Sequence, residues 1–295
     1  MGEEVIAKML NSAANDAIAA DIARAQGWVL DVDGCIVRTS RAGGAGGEPM
    51  PGAIELVRWL RATGKEVVIC TNASQKTVGD YASHLRRIGF DIADGELMTA
   101  ATAAASHIAH MHGKGPVVAI GDVGLIEALI HEDIEIWTQG ANDPVAVIVG
   151  AADVYHFKEV NAACLAIADK DAVLYVTVDE PWFNGGKGRS VSISSAIARA
   201  ISSIVDVSPV VCGKPSLALA GVLEARLGAP ANKLVIVGDM ASIEVRMARQ
   251  MDAYGVLLLS GGTLAEQVPM LPETDLPHLI AADTAMLLET LQKHF

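Results

Sequence analysis

Trp28-Val29-Leu30-Asp31-Val32-Asp33-Gly34 decides the reading of this chain: an apolar run ends in two carboxylates two positions apart, then a glycine. The run has the length of a buried strand. Outward from it, Ile54, Val57 and Leu60 recur at helical spacing, Gly64 closes that helix, and Glu66 to Thr71 reads as the next strand. The result is a βαβ unit. Asp31 and Asp33 then leave the carboxyl end of a parallel strand, the edge at which open α/β sheets bind ligands.

The alternation recurs near the other end. Ser216 can cap a helix carrying Leu219, Val222, Leu223 and Leu227, Gly228 ends it, and the runs Lys233 to Val237 and Ala253 to Leu258 follow as strands. Between the two halves lies a second α/β series, with strands expected at Pro116 to Ile120, Val145 to Val149 and Ala172 to Val178. The expected organisation is an N-terminal helical extension over 1–25, a discontinuous core of 26–82 and 206–295, and an inserted domain over 83–205. Ile6, Met9, Leu10 and Ile18 give the extension its helical spacing. The glycine-rich stretch Arg41 to Gly47 reads as a loop.

Bulk properties narrow the function. With 22 Lys and Arg against 35 Asp and Glu, the net charge is −13. Nucleic acid, which demands clustered cations, is disfavoured. No apolar run approaches the roughly 20 residues that cross a bilayer. The acidic opening Met1-Gly2-Glu3-Glu4 lacks the basic start of a secretory signal, so the expected location is cytoplasmic. Cys35, Cys70, Cys164 and Cys212 are widely separated among apolar residues, which suits reduced, buried thiols. No Gly-x-Gly-x-x-Gly follows a strand and no Gly-x-x-x-x-Gly-Lys-Ser/Thr is present, so dinucleotide binding and a P-loop are set aside.

Four strand ends carry polar groups. The carboxylates Asp31 and Asp33 are either a capped turn or a catalytic pair in which one attacks phosphorus and the other moves the proton. Thr71-Asn72-Ala73-Ser74 offers hydroxyl and amide groups for a phosphoryl oxygen, or a helix cap. Cys212-Gly213-Lys214-Pro215-Ser216 places a lysine just before a helix start, where charge and backbone N–H groups can hold a dianion, or where it is a solvated surface lysine. Gly238-Asp239 and, five residues after Asp239, Glu244 can hold a hard cation through oxygen. His107, His110 and His112 do not share one helix face and read as a helix C-terminus beside Gly113.

The order Asp-x-Asp, Thr, Lys, acidic pair resembles the haloacid dehalogenase superfamily over nearly all the chain after residue 27. Met50-Pro51-Gly52-Ala53, Leu60-Arg61-Ala62-Thr63-Gly64-Lys65, Thr71-Asn72-Ala73-Ser74 and Gly213-Lys214-Pro215-Ser216 are similar to the branch of para-nitrophenylphosphatases, phosphoglycolate and pyridoxal phosphatases and NagD-like nucleotide phosphatases. The resemblance implies an α/β fold, a Rossmann-like core with a parallel sheet plus an inserted C2-type cap that selects substrate. It implies Asp31 as nucleophile, Asp33 as general acid and base, and Thr71, Asn72 and Lys214 on the phosphoryl group. Mg2+ would be held by Asp31, the Asp33 carbonyl and Asp239, with Glu244 at the second acidic position. The implied substrate is a small phosphorylated metabolite of the nucleotide, sugar, glycolate or glycerol, or pyridoxal phosphate type, and caps of this branch imply a homodimer through the cap.

The sequence also departs from the pattern. Ile243 and Glu244 stand where the family has Thr and Asp, Cys35 follows the Asp-x-Asp-Gly turn, and Val37 to Pro49 is long and glycine-rich. Where the cap loop usually carries Asn-x-Asp, this chain has Val178-Asp179-Glu180-Pro181-Trp182-Phe183-Asn184, which makes Asp179, Trp182 and Phe183 candidates for substrate specificity. These departures motivate a competing reading: a catalytically impaired member that binds a phosphorylated ligand or partner. Asp33 and Asp239 argue against a haloalkanoate dehalogenase, and a phosphomutase ranks below a phosphatase.

Overall fold

The computed structural model describes residues 13–38, 47–140, 142–185 and 188–295, with the side chains of 13–15, 183–185, 188 and 189 outside that description. Ile6, Met9 and Leu10, and most of the glycine-rich 41–47 stretch, therefore lie outside the described residues.

The chain divides into two compact units. One comprises 1–71, 82–97 and 223–295, and the other 72–81 and 98–222. Of the stretch expected as an insertion, 98–205 falls in the second unit and 83–97 in the first.

Gly27–Asp31 is buried along its whole length, as a central parallel strand must be. It pairs in parallel with Glu66–Thr71 on one side and Leu234–Gly238 on the other, and beyond the latter lie Tyr254–Leu258 and Leu279–Ala281. Leu97–Thr99 completes a six-stranded sheet beside Glu66–Thr71. The chain turns from one flank of Gly27–Asp31 to the other, so the carboxyl end of that strand is a topological switch point.

The helix Ala53–Ala62 buries Leu56, Val57 and Leu60 at the expected spacing, and Gly64, at φ +74°, takes the left-handed conformation that ends it. The described part of the N-terminal extension forms the helix Ala13–Ala23, which buries Ala19, Ile22 and Ala23 and packs against the C-terminal helix Thr284–His294.

The second unit is doubly wound about a five-stranded parallel sheet in the order Val210–Val211, Val173–Val176, Ala146–Val149, Val117–Ile120, Ile136–Trp137. Strand alternation splits its core in two. Val117, Ala119 and Ile148 face helices Ala100–His112 and Val123–His131 through Ala104, Ile108, Leu125 and Leu129. Val118, Ile120 and Val147 face helices Phe157–Lys170 and Ile193–Val205 through Ala163, Ile167, Ala198 and Ile201. An antiparallel ribbon, Trp182–Gly185 with Gly188–Val191, is added to this frame.

Among the described residues no helix is long and apolar enough to cross a membrane. None of the four cysteines forms a disulfide; Cys35, Cys70 and Cys212 are buried and Cys164 is half-buried.

Candidate active site

Parallel register brings the first unit's acidic residues together at one sheet edge. Leu30 lies beside Val237 and Asp31 beside Cys70, so Asp31, Thr71 and Asp239 all emerge where their strands stop. The chain then folds back tightly: Val37 N–H donates to the Val32 carbonyl and Gly34 N–H to the Val37 carbonyl, both at 2.9 Å. Gly34 sits at φ +88° within that turn, where a Cβ is disfavoured. Asp31 is buried, Asp33 is half-buried, and the Thr71 hydroxyl makes a long hydrogen bond of 3.4 Å to Asp33 Oδ2.

Asp239 is enclosed by backbone. Gly262 N–H donates to its Oδ2 at 2.5 Å and Thr263 N–H to its carbonyl at 2.8 Å. A Cβ at Gly34 or Gly261 would collide with the Asp239 carboxylate, and one at Gly262 would crowd it. Ser260 ties the two sides together by donating from Oγ to the Gly34 carbonyl at 2.8 Å. Sequence reasoning missed this cradle, although Ser260-Gly261-Gly262-Thr263 just after a buried strand was the available signal.

Glu244 lies in a π-helical turn, Ala241–Val245, a local widening that recurs at functional sites. Its stem folds across Gly238, which has no room for a Cβ, and its Oε2 accepts from Met240 N–H at 3.2 Å. The side chain is buried, so its carboxylate is directed back over the start of its own turn.

In the second unit Lys214 is buried at 2% exposure. The Asn72 amide does not cap a helix: it bonds the main chain of Lys214 in both directions, at 2.8 and 2.9 Å. Ser74 Oγ accepts from Ala151 N–H at 3.1 Å and lies 3.3 Å from Thr177 Oγ1. Ser216 caps its helix as expected, accepting from Leu219 N–H at 3.1 Å.

Asp179 is held by its own surroundings. Ser195 Oγ donates to its carbonyl and carboxylate at 3.0 and 3.2 Å, and Arg199 Nε donates to Oδ1 at 3.0 Å. Trp182 opens the antiparallel ribbon and is 48% exposed rather than packed away, while the Phe183 side chain lies outside the described residues. His110 and His112 fall in the last turn of Ala100–His112, with Gly113 at φ +66° as the cap. His112 Nε2 is 2.7 Å from the Tyr175 hydroxyl, and His107 meets the Tyr175 ring edge-on. Burial lowers the pKa of His112 and raises that of Tyr175, so both are neutral at pH 7.

The model of the haloacid dehalogenase-like hydrolases matches residues 28–135, and a second HAD-hydrolase-like model matches 211–287. The two matches together hold every acidic strand end described above. The chain belongs to the haloacid dehalogenase superfamily. Chronophin of Bos taurus is 24% identical over 92% of this hydrolase and 95% of its own length. The p-nitrophenyl phosphatase from Archaeoglobus fulgidus is 25% identical with a TM-score of 0.79, covering 90% of this chain and 98% of that one. The glycerol phosphate phosphatase from Mycobacterium tuberculosis, solved in complex with magnesium, shares the fold at TM-score 0.79 and 21% identity, over 90% and 77% of the two chains. Within the superfamily this hydrolase is a phosphatase.

The donors at the Asp31 edge fit Mg2+. They are all oxygens, carboxylates of Asp31 and Asp239 and the main-chain carbonyl of Asp33, which is the ligand chemistry of that ion. The glycine cradle leaves the Asp239 carboxylate space that a single methyl group would fill. Among the described residues no three His, Cys, Asp or Glu side chains gather as a cage.

Proposed function

We propose that this phosphatase is a Mg2+-dependent phosphomonoester hydrolase that works through an aspartyl-phosphate on Asp31. The observation that carries the reading is the convergence of Asp31, Asp33, Thr71 and Asp239 at one strand edge, with Thr71 bonded to Asp33 and Asp239 enclosed by glycine backbone.

In this mechanism an Asp31 carboxylate oxygen attacks phosphorus in line while the bond to the leaving oxygen breaks. Asp33 gives its proton to that oxygen. The Asp33 carboxylate then takes a proton from water, whose oxygen attacks phosphorus, and inorganic phosphate leaves as Asp31 is restored. Thr71 and Lys214 bind the phosphoryl oxygens through a hydroxyl and a fixed positive charge. Asp31, the Asp33 carbonyl and Asp239 would hold Mg2+ directly and Glu244 through water. The ion supplies charge that offsets repulsion between two anionic reactants.

The substrate is a small phosphorylated metabolite of the nucleotide, sugar, glycolate or glycerol, or pyridoxal phosphate type. The inserted cap of 83–205 selects it, with Asp179, Trp182 and Phe183 as the specificity residues, and also forms a homodimer contact. Four cysteines outside any disulfide suit work in a reducing compartment such as the cytoplasm.

Hydrolysis of para-nitrophenyl phosphate tests this directly. Release of nitrophenol is expected with Mg2+ and not with EDTA, and Asp31→Asn should abolish it. Equal release by native protein and Asp31→Asn, or release in EDTA, would refute the mechanism. Binding of phosphorylated compounds without turnover would favour the impaired-member reading.

A further inference from the structure

Asn72 follows the hydroxyl residue Thr71 and is placed by sequence pattern among the phosphate-binding groups, yet its amide is engaged elsewhere. Lys214 N–H donates to Asn72 Oδ1 at 2.8 Å, and Asn72 Nδ2 donates to the Lys214 carbonyl at 2.9 Å. One residue exchanging both main-chain bonds with a partner is the pattern of a β-ladder pair. Here a side-chain amide stands in for a strand.

The rest of the segment shows why such a stand-in is required. Val210 and Val211 pair with Tyr175 and Val176 at the sheet's edge, and Cys212 N–H donates to the Val176 carbonyl at 2.9 Å. The ladder then runs out, because the neighbouring strand ends at Val176. Gly213 passes so close to the Thr177 carbonyl that a Cβ there would collide with it, and that Cβ would also stand 2.7 Å from Asn72 Oδ1. The Lys214 peptide groups, buried and beyond the last ladder bond, need a donor and an acceptor together. The planar amide of Asn or Gln supplies them from two separate atoms with the geometry of a peptide group, and the short reach here suits Asn.

The geometry points to Asn72 as a positioning residue that fixes the main chain of Lys214, and not as a ligand of the phosphoryl group. This rests on the proposed role of Lys214. With 2% of the lysine exposed, its stem has little freedom, so the direction of its ammonium follows from where its main chain is held. Misplacing such a group by about 1 Å can cost about a hundredfold in rate.

A double-mutant cycle on the full chain separates the possibilities. Asn72→Leu removes both bonds. Asn72→Asp keeps the acceptor for Lys214 N–H but sets an oxygen against the Lys214 carbonyl, and serves if the leucine variant does not fold. Each is expected to lower kcat/KM for para-nitrophenyl phosphate about a hundredfold. In a Lys214→Ala background the same substitutions should cost less than about threefold, since nothing remains to be positioned. A cost equal to that in the native background would show that Asn72 meets the substrate itself, and native kcat/KM in both Asn72 variants would equally overturn the inference.

Hydrogen exchange of the Lys214 amide supplies a readout independent of activity. It should accelerate in Asn72→Leu while the amides of Val173–Val176 stay protected. If Lys214→Ala retains full turnover, the phosphate-binding role of Lys214 is what fails. The exchange result then stands alone for Asn72: unchanged protection at Lys214 overturns the positioning, and lost protection supports it.

Discussion

The Arg246 guanidinium grips the Asp275 carboxylate through two parallel bonds, Nε to Oδ1 at 2.8 Å and Nη2 to Oδ2 at 2.7 Å. Arg246 begins the helix that follows the Glu244 turn, so the pair anchors the segment leaving Asp239 to the distant Glu273–Asp275 turn. Burial raises the Asp275 pKa, but the bonds from Arg246 and Thr274 outweigh it and hold the carboxyl below its ordinary value. A depressed folded-state pKa stabilises above the unfolded value, about 3.9, and that stabilisation is lost as pH falls through the folded one. Asp275→Ala should cost about 3 kcal/mol in urea unfolding at pH 7, since it removes both bonds to a partly buried guanidinium. The gap between native and variant should narrow below about pH 4; a gap that stays constant down to pH 2 would show that the ion pair is not its source.

The glycines around Asp239 make a sharper prediction about activity. Gly34→Ala and Gly261→Ala each push a methyl group into the Asp239 carboxylate. Loss of about a hundredfold or more in kcat is expected in a chain that still folds, because the displaced group belongs to the reacting edge. Gly64→Ala is the matched control. Gly64 shares the left-handed conformation of Gly34, at φ +74°, but a Cβ there meets nothing within 4 Å. It should lose about 1 kcal/mol of stability and leave kcat unchanged. Comparable kcat losses in all three variants would refute a local effect at Asp239.

What could be read from the sequence was what local pattern encodes. The strand Glu66–Thr71 appears with the expected bounds because its apolar run begins just after the helix-ending Gly64. The Ser216 cap and the Gly228 stop likewise need only their neighbours. The acidic edge was legible because a parallel strand announces its own carboxyl end. The cradle of Asp239 was not, since it depends on Gly261 and Gly262 arriving from another strand. The bonds from Asn72 to the Lys214 main chain were hidden for the same reason: the partner lies 142 residues away. Trp182 stands half exposed on an antiparallel ribbon, for which Asn184-Gly185-Gly186 was the available hairpin signal.

Two helices of the second unit end on a costly residue. Asp171 after Phe157–Lys170 and Asp206 after Ile193–Val205 both sit at φ 56°, with a carboxylate beside the negative end of the helix dipole. Asn tolerates the left-handed conformation and removes the charge. Asp171→Asn combined with Asp206→Asn should stabilise by about 1 kcal/mol at low ionic strength. The gain in Tm should shrink in about 1 M salt, where the Debye length falls to about 3 Å. No gain at low salt, with helicity intact, would mean that these carboxylates are satisfied by contacts that compensate the dipole.

Glu244 decides how the proposed metal site differs from the family pattern. The extra methylene relative to Asp lies across Gly238, and one carboxylate oxygen accepts from Met240 N–H. A carboxylate so placed suits an outer role, orienting water and the turn rather than binding the ion directly. Glu244→Gln keeps the stem and an acceptor for Met240 N–H but removes the charge. The Mg2+ concentration for half-maximal turnover should rise about tenfold, the cost typical of a lost outer partner, with kcat at saturating Mg2+ within about threefold of native. Calorimetric titration with Mg2+ should show the same loss of affinity without any substrate present. Direct ligation predicts a much larger effect, with kcat unrecovered at any Mg2+ concentration, and that result would move Glu244 into the first coordination sphere.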